Sequence, residues 1–203
     1  TDEKLRLAAA YALDRQQLVD QLYQGSFDIA NGPFTKDSAW GDSDKMPGYA
    51  PANAKPLVEE YKAAHGGEAP KVKLSVIAST DFLQIAQWVQ QQWKAVGIET
   101  EIESIEEAAG TLKLVSGDFD SLLFNFWDRP DPDALYHYWY GANMATNGGI
   151  GLNIARYKTE VVSRWGQGAF DASNQWWHAK TLAQQQQFQA DAEQLLARWG
   201  ELH

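Results

Sequence analysis

At 203 residues, the chain is long enough for one domain, or at most two small ones, with a substantial buried core. Hydrophobic residues make up 44% and charged residues 22%, as in soluble globular domains, which argues against disorder, collagen and coiled-coil structure. The net charge of −10 disfavours nucleic acid and anionic membranes as partners, because both require a basic surface. No apolar run is long enough to cross a bilayer, so we expect no membrane-spanning helix.

The composition is unusual in its cysteine and tryptophan content. The chain has no cysteine, which excludes disulfides, thiolate metal sites and a cysteine nucleophile. None of its four histidines pairs with another at ligand spacing, so we expect no metal site and no cofactor. It has nine Trp, eight Tyr and eight Phe residues. Exposed aromatic surfaces favour sugars, peptides and protein partners, whereas buried ones fill a core, and the sequence leaves both uses open.

The first part of the chain predicts two helical regions separated by a long irregular segment. Apolar residues at helical spacing predict an amphipathic helix over 4–24, with a potential break at Asp14 and an end at Gly25. Residues 25–53 are rich in Gly, Pro, Asn and Asp, and long loops of this kind are usually functional or packed against another domain. A short helix is predicted over 52–64.

Strand and helix patterns then alternate. Strands are predicted over 71–79, 98–105 and 118–126, and helices over 81–96 and 106–116 connect them. We therefore predict an α/β fold with a mostly parallel sheet flanked by helices, in which the three strands share one sheet. Further along the chain, helical patterns cover residues 133–140, 156–165 and 181–199.

Motifs that carry catalysis are missing from the sequence. It contains no GxSxG, GxxxxGK[ST], GxGxxG or HExxH pattern, and its many carboxylates do not by themselves make an acid/base pair. We therefore predict that the chain is not an enzyme. Two alternatives are less favoured: a free-standing α/β hydrolase using Asp128 and a neighbouring carboxylate, and a protein-interaction domain using exposed Trp residues.

The most distinctive segment follows the third predicted strand and reads FWDRPDPD over residues 126–133. It places an aromatic ring, carboxylates and a guanidinium in a turn stiffened by two prolines, and parallel α/β sheets bind ligands at the carboxyl ends of their strands. Asp131 and Asp133 are explained by capping of a following helix, which contributes about 1 kcal/mol. Capping explains Asp128 less well, so Asp128 is the better candidate for a ligand contact.

The chain resembles the family 5 extracellular solute-binding proteins, which serve ABC importers of oligopeptides, dipeptides, nickel and related solutes. Four blocks match in order over about 150 residues. The first block, Leu5–Arg15, is similar to the family's "R-x-A-x-x-A-(I/L)-D-R" helix, and the second, Gly25 to Gly32-Pro33-Phe34, is similar to the loop that follows that helix. The third block, Ile85-Ala86 to Val96-Gly97-Ile98, is similar to the family's helix–strand unit. The fourth block, Gly117-Asp118-Phe119-Asp120 with Asp131-Pro132-Asp133, is similar to "G-x-(F/Y)-D … D-P-D". After Arg156-Tyr157 the sequence departs from the family pattern, because the usual Asn-Pro is missing.

The resemblance implies a type II periplasmic-binding-protein-like lobe. Residues 1–203 would form a single solute-binding lobe, the second lobe of a two-lobed protein, and the other lobe is absent from this sequence. The whole protein would be periplasmic or on the cell surface, lipid-anchored, and would deliver a peptide or similar solute from the inter-lobe cleft to an ABC permease. A carbohydrate-binding member of the same family is the alternative.

The resemblance and the residues together suggest a ligand site. In peptide-binding relatives, a carboxylate three positions before the Asp-Pro-Asp holds the peptide's α-amino group, and Asp128 occupies the matching position. Asn125 stands where the family often has Trp, and Trp127 adjoins Asp128 and would stack on a sugar equally well. The complete candidate set is Asp128, Trp127, Arg129, Asn125 and Trp40. For Trp40, which lies in the irregular segment, anchoring of the loop to the core is the favoured alternative.

Overall fold

The computed structural model describes residues 2–30, 46–125, 138, 151, 153–154, 175, 178–187 and 189–190. The helices and strands between residues 3 and 123 are α1 (Glu3–Tyr11), α2 (Arg15–Tyr23), α3 (Pro51–Ala64), β1 (Lys71–Ile77), α4 (Thr80–Ala95), β2 (Glu99–Ile105), α5 (Glu107–Ser116) and β3 (Ser121–Leu123). Residues 178–187 and 189–190 are also helical. No helix in these described stretches is both long and apolar enough to span a bilayer.

The predicted helix over 4–24 is two helices, and the break at Asp14 is confirmed. The Asp2 carboxylate accepts a hydrogen bond from the Leu5 N–H at 3.0 Å and begins α1. The Asp14 carboxylate likewise accepts a hydrogen bond from the Gln17 N–H at 3.1 Å, at the start of α2. Each aspartate thus satisfies a backbone donor that a helix start leaves without an intrahelical acceptor.

The three strands lie in one parallel sheet, as predicted, and the structure gives their order as β2-β1-β3. The third strand is much shorter than the predicted 118–126, since only Ser121–Leu123 pairs with β1. At its amino end, the Asp120 carboxylate accepts a hydrogen bond from the Lys73 N–H at 3.2 Å. The Asp120 side chain therefore accepts the hydrogen bond from β1 that a backbone carbonyl of a longer β3 would otherwise accept.

Helices cover both faces of the sheet. Leu74 and Val76 of β1 are buried with residues of α4 in the hydrophobic core. Successive strand residues point to opposite faces, so Ile77 lies on the other face, under α5. There a Cβ added at Gly110 would lie only 3.2 Å from the Ile77 Cγ1, which shows how closely α5 approaches the strand. The predicted α/β architecture is confirmed.

Helix α4 joins the sheet to the first two helices through its tryptophans. Trp88 and Trp93 are each 7% exposed. The Trp93 Nε1 donates a hydrogen bond to the Ala9 carbonyl of α1 at 3.0 Å, and the Trp88 Nε1 donates to the Gln17 Oε1 of α2 at 3.1 Å. Both tryptophans that the structure describes therefore serve the core, with their polar N–H groups satisfied.

A tight glycine turn leads from α3 into β1 at the amino edge of the sheet. Gly66 and Gly67 have φ angles of 70° and 88°, in the left-handed region that favours glycine. A Cβ added at either position would meet nothing within 4 Å. The turn is thus held by backbone conformation and is open to solvent.

Candidate functional site

The carboxyl ends of the three strands lie at one edge of the sheet, called the carboxyl edge below. The Ala78 N–H, just after β1, donates to the Ile105 carbonyl at the end of β2 at 2.8 Å. Asn125 follows β3 by two residues and is exposed. Because the strands are parallel, their carboxyl ends lie at the same edge of the sheet. Strand β3, which precedes residues 126–133, therefore also ends at the carboxyl edge.

The strand order places a topological switch point at this edge. The crossover β1–α4–β2 runs along one face of the sheet and β2–α5–β3 along the other, so β1 has a strand on each side. In open α/β sheets of this kind, ligands bind outside the carboxyl ends of the strands where the order reverses. For this chain that position is the boundary between β1 and β3, where Ala78 and Asn125 emerge.

The carboxyl edge is acidic and carries two helix starts. Helix α4 begins there after Ser79, whose hydroxyl accepts from the Phe82 N–H at 3.3 Å, and α5 begins after Glu106. Asp81 and Glu107 lie in the first turns of these helices and are exposed. Their negative charges are favourable beside the positive ends of the helix dipoles, so helix stability already accounts for them.

Of the five predicted ligand residues, the structure describes only Asn125. Its exposed position at the carboxyl edge agrees with the predicted place of the site. Trp40, Trp127, Asp128 and Arg129 lie outside the described residues, so the clustering of the set stays a prediction. Chain connectivity keeps the Cα atom of Asp128 within about 11 Å of that of Asn125, because three residues span at most roughly 3.6 Å each.

The Gly-rich sequence over 141–153 predicts a loop in which most of Asn143, Asn147 and Asn153 are turn residues, and the family resemblance implies that this loop borders the cleft. Asn143 and Asn147 lie outside the described residues. Asn153 is 1% exposed, and near it the Gly151 N–H donates to the Val115 carbonyl of α5 at 3.2 Å. Asn153 is therefore buried, and it is not a solvent-facing turn residue.

A polar cluster under α5 was not predicted from the sequence. The Glu103 Oε2 accepts hydrogen bonds from the Ser75 hydroxyl at 2.6 Å and from the Lys113 ammonium at 2.7 Å. The Lys113 ammonium, together with the Ser75 hydroxyl, lowers the pKa of the Glu103 carboxyl, and the same ion pair raises the pKa of Lys113. In the sequence, Ser75 alternates with apolar residues and falls with Lys71 and Lys73, which predicts a polar face, whereas Ser75 is fully buried. The sequence contains an indication of this cluster. Ser75 and Glu103 occupy the same position, the fifth, in β1 and β2, and Lys113 adjoins the apolar stripe of α5.

This cluster holds α5 against the sheet. Each member has a partner within the cluster, so it needs no ligand to satisfy its polar atoms. Among the described residues, no group of three or more histidine, aspartate or glutamate side chains is placed to hold a metal ion.

Comparison with known proteins identifies the family. The model of the bacterial extracellular solute-binding proteins, family 5 middle region, matches residues 1–147. The chain therefore belongs to the family 5 bacterial extracellular solute-binding proteins. These are binding proteins and not enzymes, and they function outside the cytoplasm.

The relatives that the chain matches are longer proteins. The di/tripeptide-binding protein 3 of Pseudomonas aeruginosa is 26% identical over 172 residues, which cover 83% of this chain and 30% of that protein. The oligopeptide-binding protein AppA from Bacillus subtilis, solved with a nonapeptide, matches with a TM-score of 0.71 and 25% identity over 85% of this chain and 36% of that one. The chain thus spans about a third of the length of these relatives, and it has the fold of a type II periplasmic binding protein.

Two further matches concern the ligand and the end of the chain. An oligopeptide ABC transporter binding protein from Thermotoga maritima, solved with mannohexaose, matches with a TM-score of 0.67 and 19% identity over 80% of this chain and 34% of that one. Residues 157–203 match a different model, that of the TipAS antibiotic-recognition domain. The family 5 match therefore ends close to the place where the sequence departs from the family pattern.

Proposed function

We propose that the chain is a solute-binding lobe of an ABC importer's binding protein, and that it contacts a peptide or similar small solute at its carboxyl edge. The observation that carries the proposal is the switch point between β1 and β3, from which the chain passes through Asn125 directly into Trp127-Asp128-Arg129. The family and the peptide-binding relatives support it. In the whole protein, a second lobe would close over the solute by hinge motion.

Each residue of the segment has a proposed role. The Asp128 carboxylate accepts a charge-assisted hydrogen bond from the α-amino group of a peptide, which the acidic side chains of the carboxyl edge reinforce. Trp127 packs its ring against the ligand, and Asn125 donates and accepts hydrogen bonds with its amide. Arg129 pairs with a ligand carboxylate, and Trp40 contributes a second aromatic surface.

A carbohydrate is the second candidate ligand. The Thermotoga maritima protein was solved with mannohexaose, and an indole ring such as that of Trp127 stacks on the apolar face of a sugar. A neutral sugar has no ammonium group to pair with Asp128. Only the peptide therefore needs the Asp128 carboxylate, so an experiment that removes this carboxylate distinguishes peptide binding from sugar binding.

The partners and location follow from the same proposal. The whole protein would present its solute to an ABC permease and would be held at the membrane by a lipid anchor. The one-lobe organisation over residues 1–203 is part of the prediction from the sequence, and the family match supports it for residues 1–147.

The test is an NMR titration of the 203-residue chain with a tripeptide, its N-acetylated form and mannohexaose. Asp128→Asn should weaken tripeptide binding by about tenfold or more, the value of a charge-assisted hydrogen bond, and should leave mannohexaose binding unchanged. N-acetylation should abolish the difference between wild type and Asp128→Asn, since the blocked peptide has no ammonium group. Trp127→Ala should weaken both ligands.

The matched control is Asp118→Asn, because Asp118 is an exposed carboxylate that precedes the amino end of β3, away from the carboxyl edge. This variant should bind as the wild type does. Unchanged tripeptide and mannohexaose affinities in both Trp127→Ala and Asp128→Asn would contradict the placement of the site.

A further inference from the structure

Strand β3 is the element that carries Asn125 to the carboxyl edge. Each of its three residues is paired with one residue of β1: Ser121 with Leu74, Leu122 with Ser75, and Leu123 with Val76. Asn125 follows the last of these pairs by two residues. The register of β3 on β1 therefore determines where the candidate ligand residue Asn125 lies.

The apolar side chains of β3 do not specify this register by themselves. Leu122, Leu123 and Phe124 follow one another and are all partly buried. In the observed register, Leu123 packs against the hydrophobic core. Because strand side chains alternate between two faces, a slip by one residue would replace Leu123 at the core by Leu122 or Phe124, which are also apolar. Another contact is needed to exclude the slipped pairings.

The Asp120 carboxylate makes a contact that is specific for one register. Its Oδ2 accepts a hydrogen bond from the Lys73 N–H at 3.2 Å, directly before the first pair of the two strands. A slip by one residue would move Asp120 by about 3.3 Å along β1. That displacement is as long as the hydrogen bond itself, so the Lys73 N–H would lose this acceptor.

The charge of Asp120 also acts on Lys113 of α5. The Glu103 carboxylate contributes most to the raised pKa of Lys113, and the Asp118 and Asp120 carboxylates add to it. Because Asp120 is exposed, this attraction is screened by solvent and tolerates small displacements, whereas a hydrogen bond does not. The acceptor oxygen of Asp120, more than its charge, therefore distinguishes one register from the next.

We propose that Asp120 is a positioning residue of the solute site, because it fixes the register of β3 on β1 and thereby sets the place of Asn125 at the carboxyl edge. Asp120 acts without touching the solute, since it precedes the amino end of β3. Its effect on binding rests on the proposed function, whereas its effect on the register rests only on contacts within the sheet.

NMR spectroscopy of the full 203-residue chain tests the proposal with two variants. Asp120→Asn keeps an oxygen that accepts from the Lys73 N–H, so nuclear Overhauser contacts should show Ser75 beside Leu122 as in wild type, with tripeptide affinity within about twofold of wild type. Asp120→Ala removes the acceptor. Those contacts should then be lost or shifted by one residue, and tripeptide affinity should fall by about fivefold or more because Asn125 moves.

Two controls separate positioning from a general loss of stability. Asp118→Ala removes an exposed carboxylate two residues before Asp120 and should keep both the strand pairing and the affinity. Asp14→Ala removes the cap of α2 at a cost of about 1 kcal/mol. It should bind the tripeptide as wild type does, because the cap lies in α2 and not in β3.

Wild-type pairing and affinity in Asp120→Ala would overturn the proposal, and so would an equal loss of affinity in Asp14→Ala. Should Asp120→Ala fail to fold, the Lys73 amide of the wild type decides. It should exchange with solvent at least about tenfold more slowly than in an unstructured peptide, and exchange at the unstructured rate would overturn the proposal. Absence of tripeptide binding by the wild type would instead contradict the proposed function, and the pairing of Ser75 with Leu122 in the variants would then decide the register role alone.

Discussion

Glu103 shows how one side chain links a strand, its neighbour and the covering helix. Its carboxylate accepts from Ser75 of β1 and from Lys113 of α5, and it is itself part of β2. These contacts favour the charged form, so the pKa of Glu103 lies below its ordinary value of 4.5 in the folded chain. The folded state therefore binds this proton less readily than the unfolded state, and the carboxylate stabilises the fold wherever it is ionised.

The lowered pKa of Glu103 determines how the stability difference between wild type and Glu103→Gln depends on pH. The contribution of the carboxylate is complete above the ordinary value of 4.5 and is lost as the pH falls through the lowered pKa of the folded state. Glu103→Gln should therefore unfold at lower urea concentration than wild type at neutral pH, and the difference should shrink below pH 4.5 and disappear in stronger acid. Urea unfolding over a pH series measures it.

Glu101→Gln is the control for this series, since Glu101 is exposed on the same strand two residues away. It should shift the urea midpoint by much less at neutral pH. A deficit of Glu103→Gln that stayed constant from neutral pH to strong acid would show that shape, and not charge, explains the effect.

At the scale of elements, the start of α2 is fixed by a single side chain. The Asp14 carboxylate accepts from the Gln17 N–H, and an N-cap of this type stabilises a protein by about 1 kcal/mol relative to alanine. Asp14→Ala should lower the free energy of unfolding by about that amount, whereas Asp14→Asn should lose only a few tenths because asparagine caps equally well. Urea denaturation at neutral pH measures both variants, and equal losses in the two would contradict a capping role.

The elements themselves were largely predictable because their signals are local. Apolar spacing identified α4, and the left-handed Gly97 after it, at φ 93°, marks its end as the sequence predicts. The length of β3 was not predictable, because it depends on Asp120 reaching the Lys73 N–H from a distant part of the chain. The burial of Ser75 was missed for a similar reason, since it depends on tertiary packing and not on the local alternation of the strand.

The sequence predicts a position for the candidate site, at the carboxyl ends of the strands, but it does not predict the geometry of the site. The parallel sheet follows from alternating helices and strands, and the strand order found in the structure brings Asn125 to the carboxyl edge beside β1. The distances among Trp127, Asp128, Arg129 and Trp40 depend on how two irregular segments fold against each other. No periodicity in the sequence encodes that arrangement, so these residues stay predictions based on chemistry and family resemblance.

At the scale of the whole molecule, the chain spans about a third of the length of its relatives, with 30% of the Pseudomonas aeruginosa protein covered. Affinity in an enclosed site comes from contacts on all sides of the ligand and from the expulsion of water. We therefore expect the 203-residue chain to fold, because its described residues already form a parallel sheet with helices on both faces, but to bind its solute only in the millimolar range, about 4 kcal/mol. Isothermal titration with di- and tripeptides, after circular dichroism has shown a folded chain, measures this.

Micromolar or tighter binding by the 203-residue chain alone would contradict the expectation. It would mean that these residues enclose the ligand without a second lobe, and the site would then have to lie within this lobe instead of at an edge shared with another. No binding at tens of millimolar of any peptide or sugar, by a folded chain, would count equally against the proposed solute class.

The open turn at Gly66 and Gly67 has a practical consequence for building a sensor. Three residues separate the turn from the start of β1, so it lies near the end of the sheet opposite Asn125, about the length of a seven-residue strand away, roughly 20 Å. A dye or a surface tether attached beside the turn, at the exposed Glu68, would face the solvent and would leave the two left-handed glycines unchanged. The protein would then be immobilised with its carboxyl edge facing the solution, where an arriving solute reaches it unhindered.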